Sequence, residues 1–292
     1  MGILQARTIM DVNIHIPSFF TTIATIIILF VVPQYSHCKQ VDHKYNVCSS
    51  TQFNCGQVSN ISYPFWGNNR PYYCGGGDQF RFSCDTRTTT SIQISSQNFR
   101  VLNVNTSSET ITLQTQFAND VCSDVVTNTT LTHSIFQYTQ NVYNISIFYD
   151  CPSGVFVGGN NFTCQNRTDY SRVYQKGSNE VNVFYMGENK TVFQHLQDCR
   201  LGIKVPALRR VNETVDPNGG IDVLTRALND GFEVNYVNAN VQQCKLCEES
   251  GGTCGRDDIA DQFSCYCPYG FQALQCSEGM LSFAGIGPFL AI

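Results

Sequence analysis

The sequence predicts an all-β, disulfide-rich fold: two β-sheet modules with one short helix and a small cysteine-rich C-terminal region. Three observations carry that expectation. Runs such as "SIQISSQNFRVLNVN" and "ETITLQTQF" alternate apolar and polar residues with a period of two, and β-branched and aromatic residues fill the apolar positions. The 292 residues include 15 cysteines, and eight Asn-x-Ser/Thr sequons accompany an apolar leader. Cysteines and sequons together mark material made for an oxidising, extracellular compartment.

Residues 1–38 read as a signal peptide. "IATIIILFVV" (Ile23 to Val32) has the length of an h-region and is too short to span a bilayer. Ser36 and Cys38 are the small residues before a cleavage after Cys38; a signal anchor is the rival reading. Cleavage there removes one cysteine of 15 and leaves an even number, enough for seven disulfides. The sequons are Asn60, Asn105, Asn128, Asn144, Asn161, Asn166, Asn189 and Asn212.

The composition shift at Asp150–Cys151–Pro152 sets a boundary between a module at 39–150 and a second at 151–276. An apolar tail, 277–292, follows and is too short to cross a bilayer. "VYNISIFYD", just before the boundary, and "EVNVFYM", in the second module, repeat the alternating pattern as further strands. One segment breaks the habit. "GGIDVLTRALNDGF" places Ile221, Leu224 and Leu228 on one helical face, with Gly231 as the stop.

The cysteines of the mature chain fall into three groups. Cys48, Cys55, Cys74 and Cys84 form the first, and Cys122, Cys151, Cys164 and Cys199 the second. Cys244, Cys247, Cys254, Cys265, Cys267 and Cys276 are packed into the third. Its Cys-x2-Cys spacing admits zinc or redox chemistry, but in a secreted chain both yield to disulfides, so no metal is expected. Its ending, Cys-x-Cys-x8-Cys, resembles the second half of an EGF module. So small a region needs crosslinks for support.

Charge and motif content exclude several functions. The net charge is −5, and a nucleic-acid footprint needs a basic surplus. His43, His133 and His195 stand in no nucleophile or metal motif, and the glycine-rich, H-R-D and D-F-G signatures of kinases are missing from the sequence. Scattered acids leave a glycosidase, or a hydrolase inhibitor, as a secondary reading.

One stretch concentrates unusual chemistry: "SYPFWGNNRPYYCGGG", Ser62 to Gly77, with five aromatic rings and the only tryptophan, Trp66. As a binding surface, Tyr63, Trp66, Tyr72 and Tyr73 offer flat faces to sugar rings, and Arg70 and Arg81 offer bidentate bonds to a carboxylate. As a plug, Tyr63-Pro64-Phe65-Trp66 is a tight turn wedging rings under neighbouring disulfides. Residue types and spacing favour the plug.

Residues Cys48 to Asp85 resemble the galacturonan-binding module that opens the ectodomains of plant wall-associated receptor kinases and leaf-rust-resistance-type receptor-like kinases. The shared marks are a Cys, then Cys-Gly, "ISYPF", Arg-Pro, Cys-Gly and the closing "FRFSC". Residues Cys164 to Cys267 are similar to the C-terminal module of wall-associated kinases, through "NDGFEVNY", Cys244-x2-Cys247, "SGGTCG" and "FSCYC". Tyr236 stands where that family often has Trp, which keeps an aromatic ring. Family receptors continue into a membrane helix and a kinase; this sequence shows neither, so it reads as a kinase-less member and kinase activity is not carried over to it.

The resemblance implies non-catalytic binding of cell-wall polysaccharide, pectic galacturonan first, at the outer face of the plasma membrane or in the cell wall. Binding of a peptide or a receptor partner is the alternative. A polyanion gains no general attraction from a chain of net charge −5, so a local basic patch or bridging calcium is required. Arg70, Arg81, Arg87 and Arg100 are the residues for such a patch. Within the aromatic stretch, Pro64 and Phe65 are expected to hold the turn, Arg70, Tyr72 and Tyr73 to meet ligand, and Trp66 to serve either role.

Overall fold

A computed structural model describes residues 41–131, 135–151, 160–165, 180–187, 196, 198–209, 220–237 and 240–276. The expected signal peptide, the tail at 277–292, and His133 and His195 lie outside these residues. Every strand pairing within the described sheets is antiparallel.

A six-stranded sheet holds the first core. Its strands are β3 (Phe82–Asp85), β4 (Thr89–Ile94), β5 (Gln97–Asn105), β6 (Thr110–Thr115), β12 (Phe232–Tyr236) and β7 (Phe136–Tyr138), in that spatial order. The run from Ser91 to Asn105 is therefore two strands. Ser95, at φ 56°, turns the chain between them, and Ile94 pairs with Gln97. Alternation then puts Phe82, Ile92, Ile94, Phe99, Val101, Ile111 and Leu113 on one face. There they pack with Phe53, Val58 and Ile61 of the hairpin β1 (Phe53–Cys55) and β2 (Val58–Ile61).

A four-stranded sheet holds the second core. Its order is β11 (Leu201–Leu208), β8 (Val142–Tyr149), β10 (Glu180–Gly187) and β9 (Asn161–Gln165). Ile145, Ile147, Tyr149, Ile203, Val205 and Val183 pack there with Leu224 and Leu228 of helix α2 (Gly220–Asn229). Leu224 and Leu228 face the core as expected, whereas Ile221 is 37 % exposed. Gly231 ends the helical segment at φ 74°, and a Cβ there would lie 2.2 Å from the Leu113 carbonyl oxygen.

Around the expected boundary at 150/151 the two sheets exchange strands. β12, from the later half of the chain, lies between β6 and β7, while β8, from the earlier half, pairs with both β10 and β11.

One helix was expected, and the described residues contain three. Helix α1 (His43–Ser50) starts at Asp42, whose carboxylate accepts from the Tyr45 N–H at 3.0 Å. Helix α3 (Val241–Glu249) puts Cys244 and Cys247 one turn apart on its buried side. Both carry little amphipathic pattern because cysteines rather than apolar residues anchor them. Beyond α3 a three-stranded sheet, β13 (Thr253–Arg256), β14 (Phe263–Cys267) and β15 (Gly270–Gln272), completes the cysteine-rich end.

All 14 cysteines from Cys48 to Cys276 are bridged: Cys48–Cys74, Cys55–Cys84, Cys122–Cys164, Cys151–Cys199, Cys244–Cys254, Cys247–Cys265 and Cys267–Cys276. No bridge crosses from one cysteine group to another. Each contributes on the order of 2–4 kcal/mol, which matters most for the last three, since the small end they cross-link has little apolar core.

Candidate functional site

The stretch Ser62 to Gly77 folds back on itself through its own backbone. The Trp66 carbonyl accepts from the Phe82 N–H at 2.8 Å, and the Pro64 carbonyl accepts from the Gly76 N–H at 2.7 Å. The Tyr63–Pro64 peptide is cis. Phe65 is fully buried, stacked on Phe82 with centroids 4.4 Å apart and edge-on to Phe80. Pro64 is buried too. The run "CGGG" follows from this closeness. A Cβ at Gly75 would lie 2.2 Å from Trp66 Cδ1, and one at Gly76 would lie 2.7 Å from the Pro64 ring.

Arg70 belongs to this dry side, which corrects its expected role in ligand contact. It is 1 % exposed. One terminal nitrogen donates to the Cys48 carbonyl at 3.0 Å and also to the Thr51 carbonyl; the other donates to Cys74 at 2.9 Å. Burial lowers its pKa to about 10 despite the favourable field of Glu248, so it stays cationic at neutral pH. A guanidinium buried beside the Cys48–Cys74 bridge, with both terminal nitrogens on carbonyls, cannot reach a uronate.

The three tyrosines face the cysteine-rich end of the same chain. Tyr63, buried, meets Phe263 edge-on at 6.0 Å. Tyr72 donates its hydroxyl to Asp261 Oδ1 at 2.6 Å, and Arg256 Nε donates to the same oxygen. Arg256 also reaches the Gly76 carbonyl at 3.3 Å. The hydrogen bond from Arg256, then that from Tyr72, holds the Asp261 carboxyl well below the usual carboxylate range. Tyr73 lies edge-on to Tyr266, and Lys44 Nζ sits 5.2 Å and 5.5 Å from these two rings while pairing with Asp258 at 2.7 Å. Tyr72 and Tyr73, expected to meet ligand, thus form a clasp within the chain.

The other side of the stretch faces solvent. Trp66 is half-buried, and its indole N–H donates to the Gly77 carbonyl at 2.7 Å. The exposed guanidinium of Arg81 lies over the indole, 5.4 Å from the ring. Arg81 borders a cleft of about 700 Å³ lined by the polar Asp78, Gln79, Ser83, Ser91, Gln93, Ser95 and Asn98 and by the apolar Ile94 and Phe136. The strands explain this lining. Ser83 pairs with Ser91, Ser91 with Arg100, and Gln93 with Asn98, so the face opposite the apolar core carries hydroxyls and amides. Arg100 continues the same row, half-buried. Arg87 is exposed in the turn between β3 and β4 at φ 62°.

Sequence reasoning named Trp66 and Arg81 but passed over Ser83, Ser91, Gln93 and Asn98. The signal was available, as the polar half of the alternating strands next to Arg81. Elsewhere, two clusters bring potential metal ligands together, Cys265–Cys267–Cys276 and Cys244–Glu248–Cys254, but every cysteine in them is disulfide-bonded and offers no thiolate. Asn60, Asn105, Asn128 and Asn161 are exposed and Asn144 is half-buried in β8; Asn166, Asn189 and Asn212 lie outside the described residues.

Residues 48–115 match the family described as wall-associated receptor kinase galacturonan-binding, and residues 163–270 match wall-associated receptor kinase C-terminal. Among curated relatives from Arabidopsis thaliana, leaf rust 10 disease-resistance locus receptor-like protein kinase-like 2.1 is 29 % identical, over 82 % of this chain and 36 % of the relative. The like 1.4 and like 2.3 proteins are 31 % and 32 % identical, over 70 % and 62 % of this chain and 28 % and 30 % of their own lengths. The chain thus spans about a third of the relatives' length. No solved structure matches it. The matched modules are ectodomain modules, and no kinase domain lies within the 292 residues. By its two modules and these relatives, the chain belongs to the family of wall-associated and leaf-rust-type receptor-like kinases, as an ectodomain of that family.

Proposed function

We propose that the chain is an extracellular, non-catalytic binder of pectic polysaccharide that holds a galacturonate carboxylate on Arg81 in the cleft of β3, β4 and β5. The observation that carries this reading is the exposed guanidinium over Trp66, beside a floor of neutral hydrogen-bonding groups. A planar guanidinium suits a carboxylate, and hydroxyls and amides suit sugar hydroxyls. The family match to a galacturonan-binding module supports the same ligand class. Hydrolysis takes two opposed acids, whereas Asp78 is the one carboxylate among the described residues lining the cleft. Seven disulfides and four exposed sequons fit secretion to the cell wall or the outer membrane face.

Calorimetric titration with oligogalacturonides bearing free carboxylates tests the proposal. The chain binds, and Arg81→Ala weakens binding about tenfold or more, as loss of a charge-assisted pair dictates. Because a single acid cannot assemble the several oxygen ligands calcium takes, binding persists in chelator. Equal affinity in Arg81→Ala, or binding only with calcium, overturns this assignment.

A further inference from the structure

The distribution of charge around the cleft points to a narrower ligand class, and this inference rests on the pectin reading above. Of the described residues lining the cleft, Arg81 is the one cation and Asp78 the one anion, and the remaining polar groups are neutral. The two flank one turn: the Arg81 N–H donates to the Asp78 carbonyl at 3.1 Å. Their side chains form no ion pair with each other, so both charges are presented to the cleft.

Beyond the cleft lining the same sheet face repeats the pattern. Continuing the register of Phe82 with Ile92 sets Arg81 in a row with Gln93 and Asn98, and the next row is Ser83, Ser91 and Arg100. Asp85 is exposed two residues beyond Ser83 on the same strand face. The face therefore carries Arg81 and Arg100 against Asp78 and Asp85. The two arginines stand two strands and one step along apart, roughly 10–12 Å between backbones from ordinary strand spacings.

A chain with a carboxylate on every sugar would lay adjacent negative charges beside Asp78, which lines the same cleft, and like charges repel over a screening length of about 8 Å at physiological salt. A chain whose free carboxylates are separated by methyl-esterified sugars sets one carboxylate on each arginine and presents neutral groups to the hydroxyl and amide floor. We infer that the cleft selects partly methyl-esterified galacturonan, with isolated free carboxylates, over the fully de-esterified polyanion.

The test is titration of the full chain, in chelator, with three oligogalacturonides of equal length: de-esterified, partly methyl-esterified and fully methyl-esterified. The partly esterified oligomer binds tightest, about threefold or more above the de-esterified one, as expected for a few exposed charge contacts. Asp78→Asn tightens the de-esterified oligomer and narrows the gap, while Arg81→Gln lowers the partly esterified oligomer towards the affinity of the fully esterified one, the Arg100 contact remaining. Thermal melts establish that both variants keep the fold. Tightest binding of the de-esterified oligomer, unaltered by Asp78→Asn, overturns the selectivity and leaves pectin binding standing. If none of the three binds, the pectin reading fails and the selectivity with it.

Discussion

Two residues show how far a side chain's chemistry can be read without its surroundings. Arg70 looked like a carboxylate receptor because it lies among aromatics; it is buried instead, and its terminal nitrogens donate to the carbonyls of Cys48, Thr51 and Cys74. Nothing near Arg70 in sequence announces carbonyls up to 22 residues away. Arg70→Met leaves these buried acceptors unpaired and lowers stability by on the order of 3 kcal/mol or more, measured by denaturant melts with the disulfides intact. Asp261 gives the second case. Arg256 and Tyr72 depress its pKa in the folded chain, below the ~3.9 of an unfolded Asp. Its stabilising contribution is therefore complete above about pH 5 and is lost as acid carries the folded carboxyl through its lowered pKa. Thermal melts against pH detect this: wild type exceeds Asp261→Asn by a constant margin from pH 5 to 8, and the margin shrinks in stronger acid.

At the scale of elements, what the sequence made legible was alternation. β5, β6, β8 and β10 follow from it, and so does the buried set Ile92, Phe99, Ile111, Leu113. The hairpin between β4 and β5 was missed because Ser95–Ser96 turns the chain without the usual Gly or Asn. Helices α1 and α3 were missed because disulfides, not an apolar stripe, hold them to the protein. The stretch Ser62 to Gly77 divides by face into a plug and a solvent-facing side. Pro64, Phe65 and Arg70 are dry, Tyr63, Tyr72 and Tyr73 meet the cysteine-rich end, and Trp66 supports Arg81 at the cleft. Gly75 sits under that platform. Gly75→Ala pushes the Trp66 ring outward and destabilises by about 1–3 kcal/mol, as overpacking does, with a shifted tryptophan emission spectrum as its signature.

Across the whole molecule, the cleft and the clasp lie back to back on one short segment. Arg81 rests on Trp66, Trp66 is bonded to Gly77, and Arg256 reaches Gly76 from the cysteine-rich end. The interleaving of β8 and β12 was not legible, because strand alternation records which face is buried and not which sheet a strand joins. The clasp escaped for a similar reason: Tyr72 and Asp261 are 189 residues apart.

The central claim is that the ligand face is Arg81 on Trp66 and that Tyr72 is internal. Trp66, the single tryptophan, makes that claim measurable by fluorescence titration with partly esterified oligogalacturonide, run beside thermal melts, on wild type, Arg81→Ala and Tyr72→Phe. Arg81→Ala loses about tenfold or more in affinity and keeps the wild-type melting temperature, whereas Tyr72→Phe keeps the affinity and melts lower. The opposite pattern, affinity lost in Tyr72→Phe and retained in Arg81→Ala, would contradict the account.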